Sequence, residues 1–282
     1  MSEPGSFAHA ENALTMKLPT HNHVKLTVVS AVLTLCVSAL AGGPHKNHHI
    51  LHVSIQKKMH NEGVLADASG KADLRYDAEG DKAADQDLHL HIKGLDASGA
   101  YQLSAQADGD TNLTQVLSFT TDHEGKADIH LKEKGPKHPH NHDGHVDGQL
   151  PAELLAVTGI HGLIIFDAAD TNGTPILTAD LTAPDKFEYL AKRDLSTDTV
   201  HAKLEIKANG HKAKLHLEAN GLEAGSQYSL AVNGNVVTTV TSKEDGHLDI
   251  HAQLENAEDV FALSTVAILD ASSNTVVSTS FP

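Results

Sequence analysis

From about Leu51 onward, apolar and polar residues alternate along the chain, and polar turns interrupt the alternation at short intervals. A period of two puts successive side chains on opposite faces of an extended backbone, so the pattern predicts half-buried strands rather than helices. Leu88-His89-Leu90-His91-Ile92 and Leu215-His216-Leu217 show it most clearly. Further strands are predicted over 101–107, 117–121, 127–131, 163–166 and 176–181, and again over 228–232, 236–240, 248–254, 266–269 and 275–280. Asn233-Gly234 between Val232 and Val236 marks a hairpin, and Asp245-Gly246 reads the same way. Helical pattern is confined to two short stretches, 151–155 and 255–261.

The strand pattern occurs twice. Gly94-Leu95-Asp96-Ala97-Ser98-Gly99-Ala100-Tyr101-Gln102-Leu103 recurs as Gly221-Leu222-Glu223-Ala224-Gly225-Ser226-Gln227-Tyr228-Ser229-Leu230, at an offset of 127. Gly125-Lys126-Ala127-Asp128-Ile129-His130 matches Gly246-His247-Leu248-Asp249-Ile250-His251 at an offset of 121. By Phe166-Asp167-Ala168 against Leu269-Asp270-Ala271 the offset has fallen to 103, so the first copy carries 18 extra residues, over 134–151. Because the second copy lacks them, the scaffold is expected to close without this insertion. The predicted organisation is a first β-sandwich over 51–183, a linker over 184–199 and a second β-sandwich over 200–282.

Both ten-residue segments resemble the tyrosine corner of immunoglobulin-like and fibronectin type III domains. That resemblance implies a tyrosine hydroxyl bonded back to nearby backbone, stapling two sheets of a Greek-key sandwich. The chain departs from fibronectin type III in having about four strands after the tyrosine instead of about one, and in having no Trp. The expected fold class is therefore all-β: two tandem antiparallel Greek-key, immunoglobulin-like sandwiches after a signal peptide.

The signal peptide is read from the amino-terminal region. A basic stretch beginning at Met16-Lys17 precedes an apolar run over 26–41 that ends Ser38-Ala39-Leu40-Ala41. The run is shorter than the roughly 20 residues of a spanning helix, and it ends in an Ala-x-Ala cleavage signal. A signal anchor is the alternative reading. Residues 1–15 carry no targeting pattern, which makes Met16 a second candidate start. Cys36, the only cysteine, follows a bulky Leu35 and so disfavours lipidation. Cleavage would leave 241 residues without cysteine, an exported chain held by packing or by a bound metal, and with no membrane span. The expected location is the periplasm, the extracellular space or the cell envelope.

Composition narrows the partners. With 40% hydrophobic and 21% charged residues the chain is that of a folded protein, and only 4% aromatic residues leave Leu, Ile, Val and Ala to build the core. A formal charge of −16 opposes nucleic acid and anionic membrane surfaces as direct partners and favours cationic ligands. The 22 histidines supply the commonest metal-ligating side chain.

Those histidines cluster. His138, His140, His142 and His145 lie within eight residues, beside Asp143 and Asp147. Such a set suits Zn²⁺, Ni²⁺ or Cu²⁺, and the Gly-Pro opening at Gly135-Pro136 favours a promiscuous site over a preset one. His45, His48 and His49 follow the cleavage site, in a His-rich stretch over 42–50 that can join the loop in capturing metal. A dedicated amino-terminal copper motif fits neither cleavage frame, because Pro44 falls third or second. His89 and His216 match across the copies, as do His130 and His251, and all read as exposed positions of alternating strands. His89 and His91 share a face and can chelate with His130 if the strands pair.

Other chemistry is not supported. Copper-zinc superoxide dismutase has His-x-His near a Gly-Leu turn, but Tyr101, Leu103 and Ala105 stand at the comparable positions here. Asp108-Gly109-Asp110-Thr111-Asn112 begins like a calcium loop, yet Leu113 and Phe119 occupy the positions that need Gly and Glu. No nucleophile elbow, phosphate loop or His-Glu-x-x-His motif occurs. The function expected is that of a non-enzymatic exported structural or adhesive protein meeting a protein or glycan at the cell surface. The alternative is a divalent-metal buffer or carrier using the His-rich loop.

Overall fold

A computed structural model of the chain describes residues 49–80, 82–107, 113–135, 141–170 and 173–281, with backbone only at 141 and 142. The predicted signal peptide, His45, His48, His138 and His140 lie outside these residues. The fold is all-β. In chain order the strands are β1 (Ile50–Asn61), β2 (Ser69–Glu79), β3 (Asp85–Lys93), β4 (Ala100–Ala107), β5 (Leu113–Thr120), β6 (Ala127–Lys132), β7 (Asn141–His142), β8 (His145–Gln149), β9 (Ile160–Asp167) and β10 (Pro175–Asp180). They continue with β11 (Lys186–Ser196), β12 (His201–Asn209), β13 (Lys212–Asn220), β14 (Gln227–Val232), β15 (Asn235–Thr241), β16 (Leu248–Leu254), β17 (Thr265–Asp270) and β18 (Thr275–Ser280).

The two stretches read as helical form short 3₁₀ turns, Ala152–Leu154 and Ala257–Ala262, the latter opened by an Asn256–Asp259 capping box. Among the described residues no helix is long and apolar enough to cross a membrane.

In the first half, β1, β2, β3 and β6 pair in that order, while β5, β4, β9 and β10 form a second ladder whose last strand returns to β1 at His60 and Asn61. In the second half, β11, β12, β13 and β16 pair in the same order, and β15, β14, β17 and β18 form a separate four-stranded sheet. The halves are joined edge to edge, because β11 pairs with β1 from Ile50↔Lys192 to Gln56↔Lys186.

The segment expected as a linker therefore holds β11, and one sheet runs through both halves. Phe187, Tyr189 and Ala191 alternate inward along β11 while Glu188 and Lys192 point outward. The period-two signal was present, but the charged outward residues gave it the composition of a linker. Asp245-Gly246 also departs from expectation. Its turn carries the chain from β15 in the small sheet to β16 in the large one, so it links two sheets and closes no hairpin. Asn233-Gly234 does close one, with both residues at positive φ (49° and 78°) between β14 and β15.

Both tyrosine corners form. The backbone N–H of Asp96 donates to the Tyr101 hydroxyl at 2.9 Å, and that of Glu223 to the Tyr228 hydroxyl at 3.0 Å. The glycines preceding them recur for a steric reason. Gly94 and Gly221 sit at φ +75° and +82°, and a Cβ on either would lie 2.0 Å from a backbone oxygen, of Asp67 or Thr199.

The insertion is not a bare loop. β8 runs parallel to β6 and covers its free edge, and the Leu150 N–H donates to the Lys132 carbonyl at 2.8 Å. Val146 and Leu150 are buried. Nothing in copy two signals this contribution, because an insertion has no counterpart whose burial pattern can be compared.

Candidate metal centre

Strand alternation builds the site. Leu88, Leu90 and Ile92 of β3 and Ile129 and Leu131 of β6 face the core, which turns His89, His91, Asp128 and His130 to the outer face. Antiparallel register sets His89 opposite His130 and His91 opposite Asp128. Parallel pairing of β8 then puts His145 beside Asp128 and Asp147 beside His130. Four imidazoles and two carboxylates thus share one patch of the large sheet.

Asp128 is its hub. His89 Nε2 lies 2.9 Å from Asp128 Oδ1, His91 Nδ1 lies 2.6 Å from Oδ2, and His145 Nδ1 lies 3.7 Å from Oδ1. On the far side His145 Nε2 is 3.2 Å from Asp147 Oδ2, and His130 Nδ1 is 3.9 Å from Asp147 Oδ1. The rings of His89 and His91 have centroids 4.0 Å apart, and those of His89 and His130 are 5.1 Å apart.

Partial burial favours the neutral acid at Asp128, but hydrogen bonds and charge from His89 and His91 outweigh it and hold the carboxyl below its ordinary value. Burial, aided by nearby Lys132, pushes the His130 imidazole below its ordinary value, which keeps a lone pair free at neutral pH.

One ligating atom from each of His89, His91 and Asp128 falls within 4.8 Å of the others. A tetrahedral zinc shell with bonds of about 2.0–2.1 Å has its ligands about 3.3 Å apart, so small side-chain rotations would close these three on an ion. His145, with Nδ1 3.7 Å from Asp128 Oδ1, lies beside these three. His91, Asp128, Asp143 and His145 also line an open cavity of about 690 Å³, which gives an ion and its hydration water a path in from solvent.

The His-rich loop and this cluster are continuous. His145 and Asp143 of the expected set are at the cavity, and His142 lies on β7, paired through its backbone with His145. His49 is not part of the group. It precedes β1 beside Gly80, whereas Lys58, at the cavity wall, is nine residues further along that strand, about 30 Å at 3.3 Å per residue. The residue that sequence reading passed over is Asp128. Its signal in the sequence is the Asp-Ile-His that both copies share, at 128–130 and 249–251. No protein-family model matches the chain, and no curated protein matches it.

Proposed function

We propose that this chain is a non-enzymatic, exported binder of divalent transition metal, a buffer or carrier for Zn²⁺, Ni²⁺ or Cu²⁺ in the cell envelope. The observation that carries the proposal is the meeting of His89, His91 and His145 on the one carboxylate of Asp128. Nitrogen-rich donor sets of this kind suit borderline divalent ions, whereas Mg²⁺ and Ca²⁺ prefer oxygen. An apolar run with a cleavage signal over 26–41 supports export. His138, His140 and His142 belong by sequence to the insertion that delivers His145. The shared pairing order of the two halves supports an origin as two Greek-key sandwich repeats, fused through β1 and β11.

Calorimetric titration of the full chain with Zn²⁺ tests the metal reading. The substitutions His89→Ala, His91→Ala and Asp128→Ala together should abolish the tightest binding step, while deletion of 136–141 should weaken it and leave it measurable. Unchanged affinity in the triple variant would refute the assignment.

A second reading, a structural or adhesive module, draws on one feature. β15 pairs only with β14 among the described residues, and it exposes Val236 and Val237 along an open sheet edge. Retention of surface binding in the triple metal variant would favour that reading.

A further inference from the structure

The outer face of the second half carries a separate group of ligating side chains. β13 turns His216 and Glu218 outward and β16 turns out Asp249 and His251, with His216 opposite His251 and Glu218 opposite Asp249. His216 and His251 stack nearly parallel, centroids 4.3 Å apart and planes 9° from coplanar. Both rings aim Nε2 at the same atom: His216 is 3.0 Å and His251 is 3.3 Å from Asp249 Oδ1. Glu218 Oε1 lies 3.6 Å from His216 Nε2.

We infer that His216, Asp249 and His251 form a second divalent-metal site, independent of the first, with Glu218 at hand as a further oxygen ligand. The inference rests on the metal-binding reading of the β3–β6–β8 cluster. Three ligating atoms, one from each residue, lie within 4.8 Å of one another. Two imidazoles that present the same nitrogen to one carboxylate oxygen leave a point where a divalent ion would meet two neutral nitrogen donors and a negative charge together. The position is also equivalent in the pairing order: β13 and β16 stand to each other as β3 and β6 do.

The two sites differ in what surrounds them. β16 is the end strand of the large sheet, so among the described residues nothing there takes the place of β8 with its His145 and Asp147. The second site therefore offers two imidazoles where the first offers up to four, and its His251 side chain is 72% exposed. It should bind more weakly and exchange faster. Five strand spacings of about 4.8 Å lie between β13 of one cluster and β3 of the other, about 24 Å along the sheet, and their ligating atoms form two separate groups.

Equilibrium dialysis of the full chain against Zn²⁺, with bound metal counted per chain, tests this. His216→Ala/His251→Ala should bind one ion fewer than the parent and leave the tightest step unchanged. His89→Ala/His91→Ala should also lose one ion, and the fourfold variant should lose two. All four side chains are at the surface, and circular dichroism would confirm a retained β spectrum. His251→Asn, which keeps size and polarity, provides a milder second variant that should weaken the lower-affinity site alone. If His89→Ala/His91→Ala loses an ion and His216→Ala/His251→Ala does not, the second site is refuted and the first stands. If neither variant loses an ion, both fall.

Discussion

Leu150 offers the sharpest test of how the insertion is seated. It is 2% exposed, it follows β8 directly, and Val146 on the same strand is 7% exposed. Leu131 of β6 lies hard against this segment, since a Cβ on Gly148 would come within 2.8 Å of its Cδ2. Truncating a buried leucine to alanine costs about 2–5 kcal/mol, the transfer of the lost atoms plus the cavity left behind. Val146→Ala removes two methyl groups, about 1.5 kcal/mol at about 0.8 kcal/mol each. The double variant should thus lose about 3.5–6.5 kcal/mol, a large share of the 5–15 kcal/mol typical of a folded domain. Guanidinium unfolding followed by circular dichroism would measure it, as a lower midpoint with an unchanged slope. Val236→Ala, at a position 57% exposed, serves as a control expected to stay within about 0.5 kcal/mol of the parent. A loss below about 0.5 kcal/mol for Leu150→Ala would refute the placement of β8 on the core, and with it the placement of His145 beside Asp128.

Two further predictions follow from tyrosines. Tyr101→Phe and Tyr228→Phe each remove the acceptor of a backbone N–H, and each should cost about 1 kcal/mol. In a chain of this size that is a fall of about 2–4 °C in Tm, and the two effects should add because the corners share no partner. Tyr189 is buried, and burial pushes its phenol up to about 12. A folded-state value raised above the unfolded one gives stability that is whole below about pH 10 and lost as pH climbs through about 12, on the order of 2–3 kcal/mol. Tyr189→Phe should flatten that alkaline decline in a urea-midpoint series across pH, and an unchanged decline would reject the assignment.

Alternation along the chain made most strands legible: 248–254 and 275–280 coincide with β16 and β18, and the tyrosine corners form where the Gly-Leu-turn-Tyr pattern lies. What escaped was long-range. No local pattern states that β1 and β11 pair across the halves, because an edge strand and a shared central strand have the same inward residues. The candidate site was half visible. His89, His91 and His130 were recognised as able to meet if their strands paired, but exposed histidines on alternating strands are common, and only register distinguishes a scattered row from a cluster. Asp128 gains its place from the same register, opposite His91 and beside His145.

Register also explains why one insertion can change packing and chemistry together. In a strand, adjacent residues face opposite ways, so seating Val146 in the core turns His145 and Asp147 to the outer face, and pairing with β6 sets them beside Asp128 and His130. The same pairing covers the β6 edge, whereas the equivalent edge at β16 has no pairing strand among the described residues. A sequence change that only displayed histidines on a tether would leave their geometry to chance. One that added a buried strand would gain burial energy to hold two of its polar residues at fixed positions. The inequality expected between the two proposed metal sites then follows from packing: the cluster beside the covered strand edge gathers more imidazoles and carboxylates and faces less solvent than the other.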